Sequence, residues 1–257
     1  AVAWGAEILV IKGDITEGGE PAHWDLFDEL LADVPIPVIA IPGNHDTVAT
    51  RRSVCATEAL QARGLFTATV QARDLPGVRI VAADTTVPGR GWGQMRSRAD
   101  DLAAALDVAS PALLFLHHHL ESTRLPWFWP LGVRHHDGTP TIARLFEANP
   151  DLVVSSGHTH RNRVRRHATG VLTEVGSTKD HPGVWAGYVV HASGVRQVVR
   201  RVSDPSCLAW TDRTHAAVAG IWGRWSPGRL HDRVVTHEWT GPRPVASARS
   251  RATGTRA

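Results

Sequence analysis

Four times along this chain a short apolar run stops at a cluster of residues able to hold a metal ion. Glu7-Ile8-Leu9-Val10-Ile11-Lys12 leads into Gly13-Asp14, and Val38-Ile39-Ala40-Ile41-Pro42 into Gly43-Asn44-His45-Asp46. Ala112-Leu113-Leu114-Phe115-Leu116 leads into His117-His118-His119, and Asp151-Leu152-Val153-Val154-Ser155-Ser156 into Gly157-His158-Thr159-His160. Runs this short, bounded by Gly or Pro, suit buried strands rather than helices. Helical patterns lie between them. Pro21 to Ala32 opens with a proline suited to a first turn and groups Trp24, Phe27, Leu30 and Leu31 on one side. Arg98 to Val108 repeats apolar residues at Leu102, Ala105 and Leu106, and Thr141 to Ala148 does so at Ile142, Leu145 and Phe146. Further strands are expected at Arg79–Ala83, Gly170–Val175, Ala186–His191 and Val195–Val202. Strands alternating with helices indicate an α/β fold, in which ligands gather at the carboxyl ends of the strands. The four clusters stand at such ends.

The clusters make sense as ligand chemistry. Asp14 offers a hard oxygen that can bridge two cations, and Asn44 a neutral carbonyl oxygen. His117 or its neighbour His118, with His158 and His160, offers imidazole nitrogen. Mixed oxygen and nitrogen ligation suits Zn, Mn or Fe better than Ca or Mg. In an extended H-x-H, residues two apart point the same way, so His158 and His160 can face one site. Singly, each cluster has a bland explanation: Gly-Asp and Gly-Asn-His-Asp are built from turn formers, and a lone histidine is usually a surface or hydrogen-bonded residue. The order of the set at four successive strand ends outweighs these.

The ordered set resembles the calcineurin-like metallophosphoesterase family, whose pattern runs D-x-H, G-D, G-N-H-D/E, H, G-H-x-H. Gly13-Asp14, Gly43-Asn44-His45-Asp46, His117-His118 and Gly157-His158-Thr159-His160 match the last four blocks, over roughly residues 1 to 200. Within the family the chain looks most like the class III cyclic-nucleotide phosphodiesterase branch, which shares the triple-His block and a stretch like Ala83-Asp84-Thr85. The resemblance implies a four-layer α/β/β/α sandwich of two mixed sheets flanked by helices, with its first strand missing. It implies two divalent or trivalent metal ions (Mn, Fe or Zn), with Asp14 bridging both. Asn44, His117 and His158 would bind the second metal, and His160 would help bind the first. His117 follows the apolar run directly; His118 stays an alternative, since the family often reads His-His-Pro and Leu120 stands in the proline's place. His45 would act as general acid, or as a cation stabilising phosphoryl charge, in hydrolysis of a phosphate ester by a metal-bridged hydroxide. Glu17 stands where some members place an acid that orients this histidine; a solvated loop glutamate is the alternative. No Asp-x-His occurs anywhere in the chain. The first metal would therefore have two protein ligands here where about four are wanted, and one bound metal, or two held weakly, is expected. A catalytically impaired or inactive scaffold of the same fold is the competing reading; retention of His45 argues against it.

Composition narrows the partners. No apolar stretch approaches the roughly 20 residues of a membrane span. The chain opens on Ala1-Val2-Ala3-Trp4 with neither an initiating Met nor a leader, so it is read as clipped at its start, and its location as cytoplasmic by default. Cys55 and Cys207 lie far apart with no CxxC spacing, which argues against a disulfide framework or thiolate zinc. The formal charge is +3, but from His191 onward 11 Arg face four acids. No stacking or groove-reading module accompanies that charge, so a small phosphorylated substrate, nucleotides among the candidates, is expected rather than nucleic acid. The metallophosphoesterase domain is assigned to 1–203, a Trp- and Arg-containing extension with one helix at Asp212–Trp222 to 204–240, and a disordered tail to 241–257. The extension is expected to pack on the domain through Trp210, Trp222, Trp225 and Trp239. Leu125-Pro126-Trp127-Phe128-Trp129-Pro130 either lines the pocket, where its aromatics could stack on a base, or packs a loop onto the core. His135-His136-Asp137 is read as surface, and the Ser177–His181 loop as a second candidate border of the site.

Overall fold

Alternation of apolar side chains decides how the layers stack. The elements run β1 (Leu9–Lys12), α1 (Pro21–Leu31), β2 (Val38–Ile41), α2 (Ala56–Ala62), β3 (Val70–Leu75), β4 (Val78–Ala83), α3 (Ala99–Leu106) and β5 (Ala112–Leu116). They continue with α4 (His135–Ala148), β6 (Leu152–Ser156), β7 (Arg163–Arg166), β8 (Val171–Glu174), β9 (Val184–His191) and β10 (Gly194–Arg201). The C-terminal part adds α5 (Pro205–Arg213), α6 (Ala217–Trp225), α7 (Leu230–Arg233) and β11 (Val234–Glu238). The structure, a computed structural model, describes residues 1–48, 54–107, 109–121, 132–133, 135–167 and 169–240, with the backbone alone at 135 and 136. The aromatic loop 125–130 and the tail 241–257 lie outside the described residues.

A mixed sheet of six strands, ordered β3-β4-β5-β6-β8-β7, forms the centre. Its inner four strands are parallel and its two edges antiparallel. Every residue of β5 and β6 is buried, as a parallel strand covered on both faces requires. Ile80, Leu113, Phe115, Val153 and Val171 face one cluster, which also holds Ile39 and Ile41 of β2, Val195 of β10 and Val235 of β11. Trp24 and Phe27 of α1 and Leu60 of α2 belong to that cluster too. The alternate residues Val81, Leu114, Leu116, Val154 and Leu172 face the other, with Leu102 and Leu106 of α3 and Ile142, Leu145 and Phe146 of α4. The result is a mixed α/β fold with helices flanking sheets. Strands opposite the central sheet form two pieces, the parallel pair β1-β2 and the antiparallel β11-β10-β9. All four residues of β1 are half-buried, and among the described residues β1 is hydrogen-bonded only to β2.

Several sequence readings change. Leu30 is 69% exposed, because the inward face of α1 is carried by Trp24, Phe27 and the partly buried Leu31. Asp137 is buried, not on the surface: α4 starts at His135 rather than Thr141 and draws Asp137 into its first turn, where its carbonyl accepts from the Thr141 hydroxyl. Helix Asp212–Trp222 is two helices, α5 and α6, with left-handed φ at Val218, Ala219 and Gly220 inside the second. Trp210 is 55% exposed, while Trp239 is buried against the core. Strand β11 lies within the stretch read as an extension, pairing with β10 from Glu238↔Gly194 to Val234↔Val198. Among the described residues, no helix is long and apolar enough to cross a membrane.

Candidate metal centre

Parallel pairing of β1 with β2, and of β5 with β6, delivers four loops to the same end of the two facing layers. His117, first after β5, is their meeting point. Its Nδ1 donates to the Lys12 carbonyl oxygen at 2.7 Å, which leaves Nε2 of the neutral ring with a bare lone pair. That Nε2 lies 2.9 Å from Asn44 Oδ1, 3.2 Å from His158 Nδ1 and 3.4 Å from Asp14 Oδ1. The oxygens are acceptors, as Nε2 is, so they repel one another unless something positive stands among them. A divalent cation resolves the crowding, and an O/N set of this kind fits Zn, Mn or Fe. His117, His118 and His158 each offer a ligand atom within 4.8 Å of the others.

The backbone is bent to achieve this. Asp14, His158 and His160 have φ of 53°, 66° and 51°, a left-handed conformation that costs a non-glycine residue roughly 1–2 kcal/mol. Strain of this kind collects where function demands a particular side-chain direction. Two glycines let the first two loops touch. A Cβ on Gly13 would sit 2.5 Å from Gly43 N and 2.8 Å from His117 Nδ1, and one on Gly43 would overlap Asp14 N and Oδ1.

Buried braces hold the loops. Asp46 accepts from Thr16 N (2.6 Å) and the Thr16 hydroxyl (2.9 Å) through Oδ1, and from Gly43 N (2.8 Å) through Oδ2, tying the loop after β1 to the loop after β2. Burial raises its carboxyl above the ordinary carboxylate range, against those hydrogen bonds and with help from the charge of Asp14. Glu174, at the end of β8, accepts from the Thr159 hydroxyl (2.7 Å), Arg161 Nε (2.8 Å) and Arg163 (3.2 Å), and so anchors the H-x-H loop. Lys12 donates to the Ser156 carbonyl (2.6 Å) and the Ser155 hydroxyl (3.0 Å). Burial lowers its ammonium to about 7, with the charge of Glu174 opposing.

His45 stands outside the converged group, beside it. Its backbone N–H donates to Asp14 Oδ1 (3.0 Å), and its exposed ring holds Nδ1 2.7 Å from Glu17 Oε1. Lys179 donates to the other oxygen of Glu17 at 3.3 Å. Burial works to raise the Glu17 carboxyl, but the hydrogen bond and charge of His45, with those of Lys179, bring it below its ordinary value. His160 turns its Nδ1 to Asp180 Oδ2, 2.8 Å away, and its ring lies 5.2 Å from that of Trp222. Burial likewise pushes the Asp180 carboxyl up, and its close pairing with His160, then the charges of Lys179 and His45, outweigh it.

Of the five ligands expected from the sequence, Asp14, Asn44, His117 and His158 converge; His160 is two residues along the same loop, against Asp180 and Trp222. His118 is buried and engages Thr85, whose hydroxyl lies 2.8 Å from Nδ1 and accepts from the His118 N–H. Burial, then the neighbouring His158 and His117, lowers the pKa of His118 well below the usual histidine value. Sequence reasoning missed the bracing by Asp46 and Glu174 and the contact of Asp180 with His160. Asp46 was in view as the last letter of a motif, and Glu174 lay unremarked within the strand expected over Gly170–Val175. The Ser177–His181 loop was in view as a candidate border of the site, and Trp222 as a residue packing on the domain, but neither was paired with His160.

The family model described as "Calcineurin-like phosphoesterase" matches residues 3–162. A probable cyclic nucleotide phosphodiesterase of a Synechococcus strain is 26% identical over 189 residues, covering 71% of this chain and 70% of that protein. A cAMP/cGMP dual specificity phosphodiesterase of Mycobacterium tuberculosis is 31% identical over 161 residues, covering 60% of this chain but 48% of that protein. Among solved structures, a purple acid phosphatase from yellow lupin superposes with a TM-score of 0.58 at 13% identity, over 77% of this chain and 45% of the other. That likeness concerns the fold.

Proposed function

Since the chain belongs to the calcineurin-like phosphoesterase family, we propose that it hydrolyses a phosphodiester at a metal centre built on Asp14, Asn44, His117, His158 and His160, with His45 as general acid. The observation that carries the reading is the crowding of acceptor atoms around His117 Nε2, which a cation would resolve. Asp14, Asn44, His117 and His158 would hold one cation, while Asp14 and His160 are what this chain offers to a second. Cations bound there would polarise the phosphoryl oxygens and lower the pKa of a water for in-line attack.

The protein's own groups do the rest. Asp14 Oδ1 accepts from the backbone of His45, so the ligand loop and the acid-bearing loop move together. Glu17 accepts from His45 Nδ1–H and orients the ring with Nε2 turned outward; when the ring is also protonated at Nε2, that N–H can give its proton to the departing alkoxide. Proton donation of this kind contributes on the order of 10²–10⁴-fold in rate. Two relatives are named as cyclic nucleotide phosphodiesterases, so cyclic nucleotides are the first substrates to try.

The test is metal content and bis-p-nitrophenyl phosphate hydrolysis for wild type, H158A and H45A. Loss of metal and turnover in H158A, with metal retained and turnover slowed in H45A, supports the proposal. Full activity in H45A refutes the acid assignment. Metal uptake without hydrolysis of any phosphodiester would favour a non-catalytic scaffold.

A further inference from the structure

We propose that Asp180 is a positioning residue for the metal centre, and that the C-terminal segment forms part of that centre through Trp222. The inference deepens the metal reading above and rests on it. His160 occupies a left-handed backbone position (φ 51°), so its ring direction needs support from elsewhere. Two groups from outside its loop supply that support. Asp180 Oδ2 lies 2.8 Å from Nδ1, with both side chains largely buried. The contact is at ion-pair distance, with the oxygen outside aligned hydrogen-bond geometry; a carboxylate so close still favours the proton on Nδ1 and presents Nε2 as a lone pair, the arrangement that orients histidines toward metals. Trp222 covers one face, its ring 5.2 Å away and inclined at 35°, and opposes rotation of the imidazole.

The C-terminal segment also holds the loop that carries Asp180. The His181 N–H donates to Thr214 Oγ1 at 2.7 Å, just after α5, and Gly183 leaves room for Thr211, whose Cγ2 would stand 2.7 Å from a Cβ there. From the domain side, Arg201 Nε donates to the Pro182 carbonyl at 2.8 Å. The loop bearing His160 is gripped in turn, as Asn162 donates its N–H (2.9 Å) and Nδ2 (3.2 Å) to the Ser226 carbonyl. Lys179, one residue before Asp180, bonds Glu17, the partner of His45. A single loop therefore braces the histidine assigned to metal and the one assigned to proton transfer, and it is anchored both in the C-terminal segment and by Arg201 of β10.

The test is ¹⁵N NMR of the histidine rings in the metal-free chain, with Zn²⁺ uptake by equilibrium dialysis, for wild type, D180N, D180A, W222L, H160A and H160A/D180A. The proposal predicts an Nδ1-protonated His160 in wild type, a mixed tautomer in D180A, and Zn²⁺ affinity lowered roughly 10–100-fold. D180N, close in shape, should fall between, and W222L should weaken uptake with the circular dichroism spectrum unchanged. In the H160A background, D180A should cost nothing further, because Asp180 acts through His160. An unchanged tautomer and affinity in both D180N and D180A overturns the inference, as does an undiminished D180A effect in H160A. A wild-type chain that takes up no Zn²⁺ overturns the metal reading itself, and this inference with it.

Discussion

Replacing Asp46 by alanine should separate the bracing of the site from its chemistry. The side chain accepts three hydrogen bonds in a nearly water-free position, two of them from the backbone amides of Thr16 and Gly43. The Thr16 hydroxyl can rotate to another acceptor; the amides cannot. Each buried donor left unsatisfied costs about 1–3 kcal/mol, so D46A starts from about 2–6 kcal/mol. Water entering the space left by the carboxylate relieves part of this, which puts the expectation at about 2–4 kcal/mol. D46N keeps one acceptor oxygen for Thr16 and turns its amide nitrogen toward the Gly43 N–H, donor against donor. One bond is lost, at about 1–3 kcal/mol. At roughly 2–4 °C per kcal/mol for a domain of this size, D46A should lower the melting midpoint by about 4–16 °C and D46N by less. Urea unfolding of metal-free protein is the assay, because bound metal would add its own stabilisation. D46A within 0.5 kcal/mol of wild type, or D46N clearly worse than D46A, would refute the reasoning.

Three further outcomes are expected. Gly43→Ala should abolish metal uptake, since the added methyl overlaps Asp14 N and Oδ1; dialysis against Mn²⁺ checks this. Glu174→Ala strands the buried Arg161 guanidinium without its carboxylate and should cost about 3–5 kcal/mol; in chemical denaturation Glu174→Gln, which keeps an acceptor, should cost less. Lys12 has a folded pKa of about 7 against 10.5 unfolded. The unfolded chain therefore binds the extra proton between those values, and Lys12 makes stability rise with pH by up to about 1.4 kcal/mol per unit across that window. Measured by denaturant at pH 7 and pH 9, wild type should gain on Lys12→Met, and a difference independent of pH would count against the buried ammonium.

The sequence carried the apolar strands, their ends and the residues proposed as ligands. A strand packed in the core is apolar along most of its length, and a polar residue at its carboxyl end interrupts that run, so β1, β2, β5 and β6 with the clustered Asp14, Asn44, His117 and His158 were legible together. The less apolar elements were not. Strand β7 reads Arg-Val-Arg-Arg, and β3 has three exposed residues in a row, so neither shows a continuous apolar run. The start of α4 was hidden by Pro140 and by polar residues in its first turn.

Within the site, the packing of layers decided what one-dimensional pattern could not. His117 and His118 are equivalent as letters; just past the end of β5 they differ because they take different partners, one Lys12 and Asn44, the other Thr85. Asp46 reads as a turn former, and only the approach of the loops after β1 and β2 turns it into a buried acceptor for both. Asp180 and Trp222 reach His160 from separate parts of the chain. Ligand type is a property of residues and can be read from them; which group supports a ligand depends on distances between segments, and folding alone sets those.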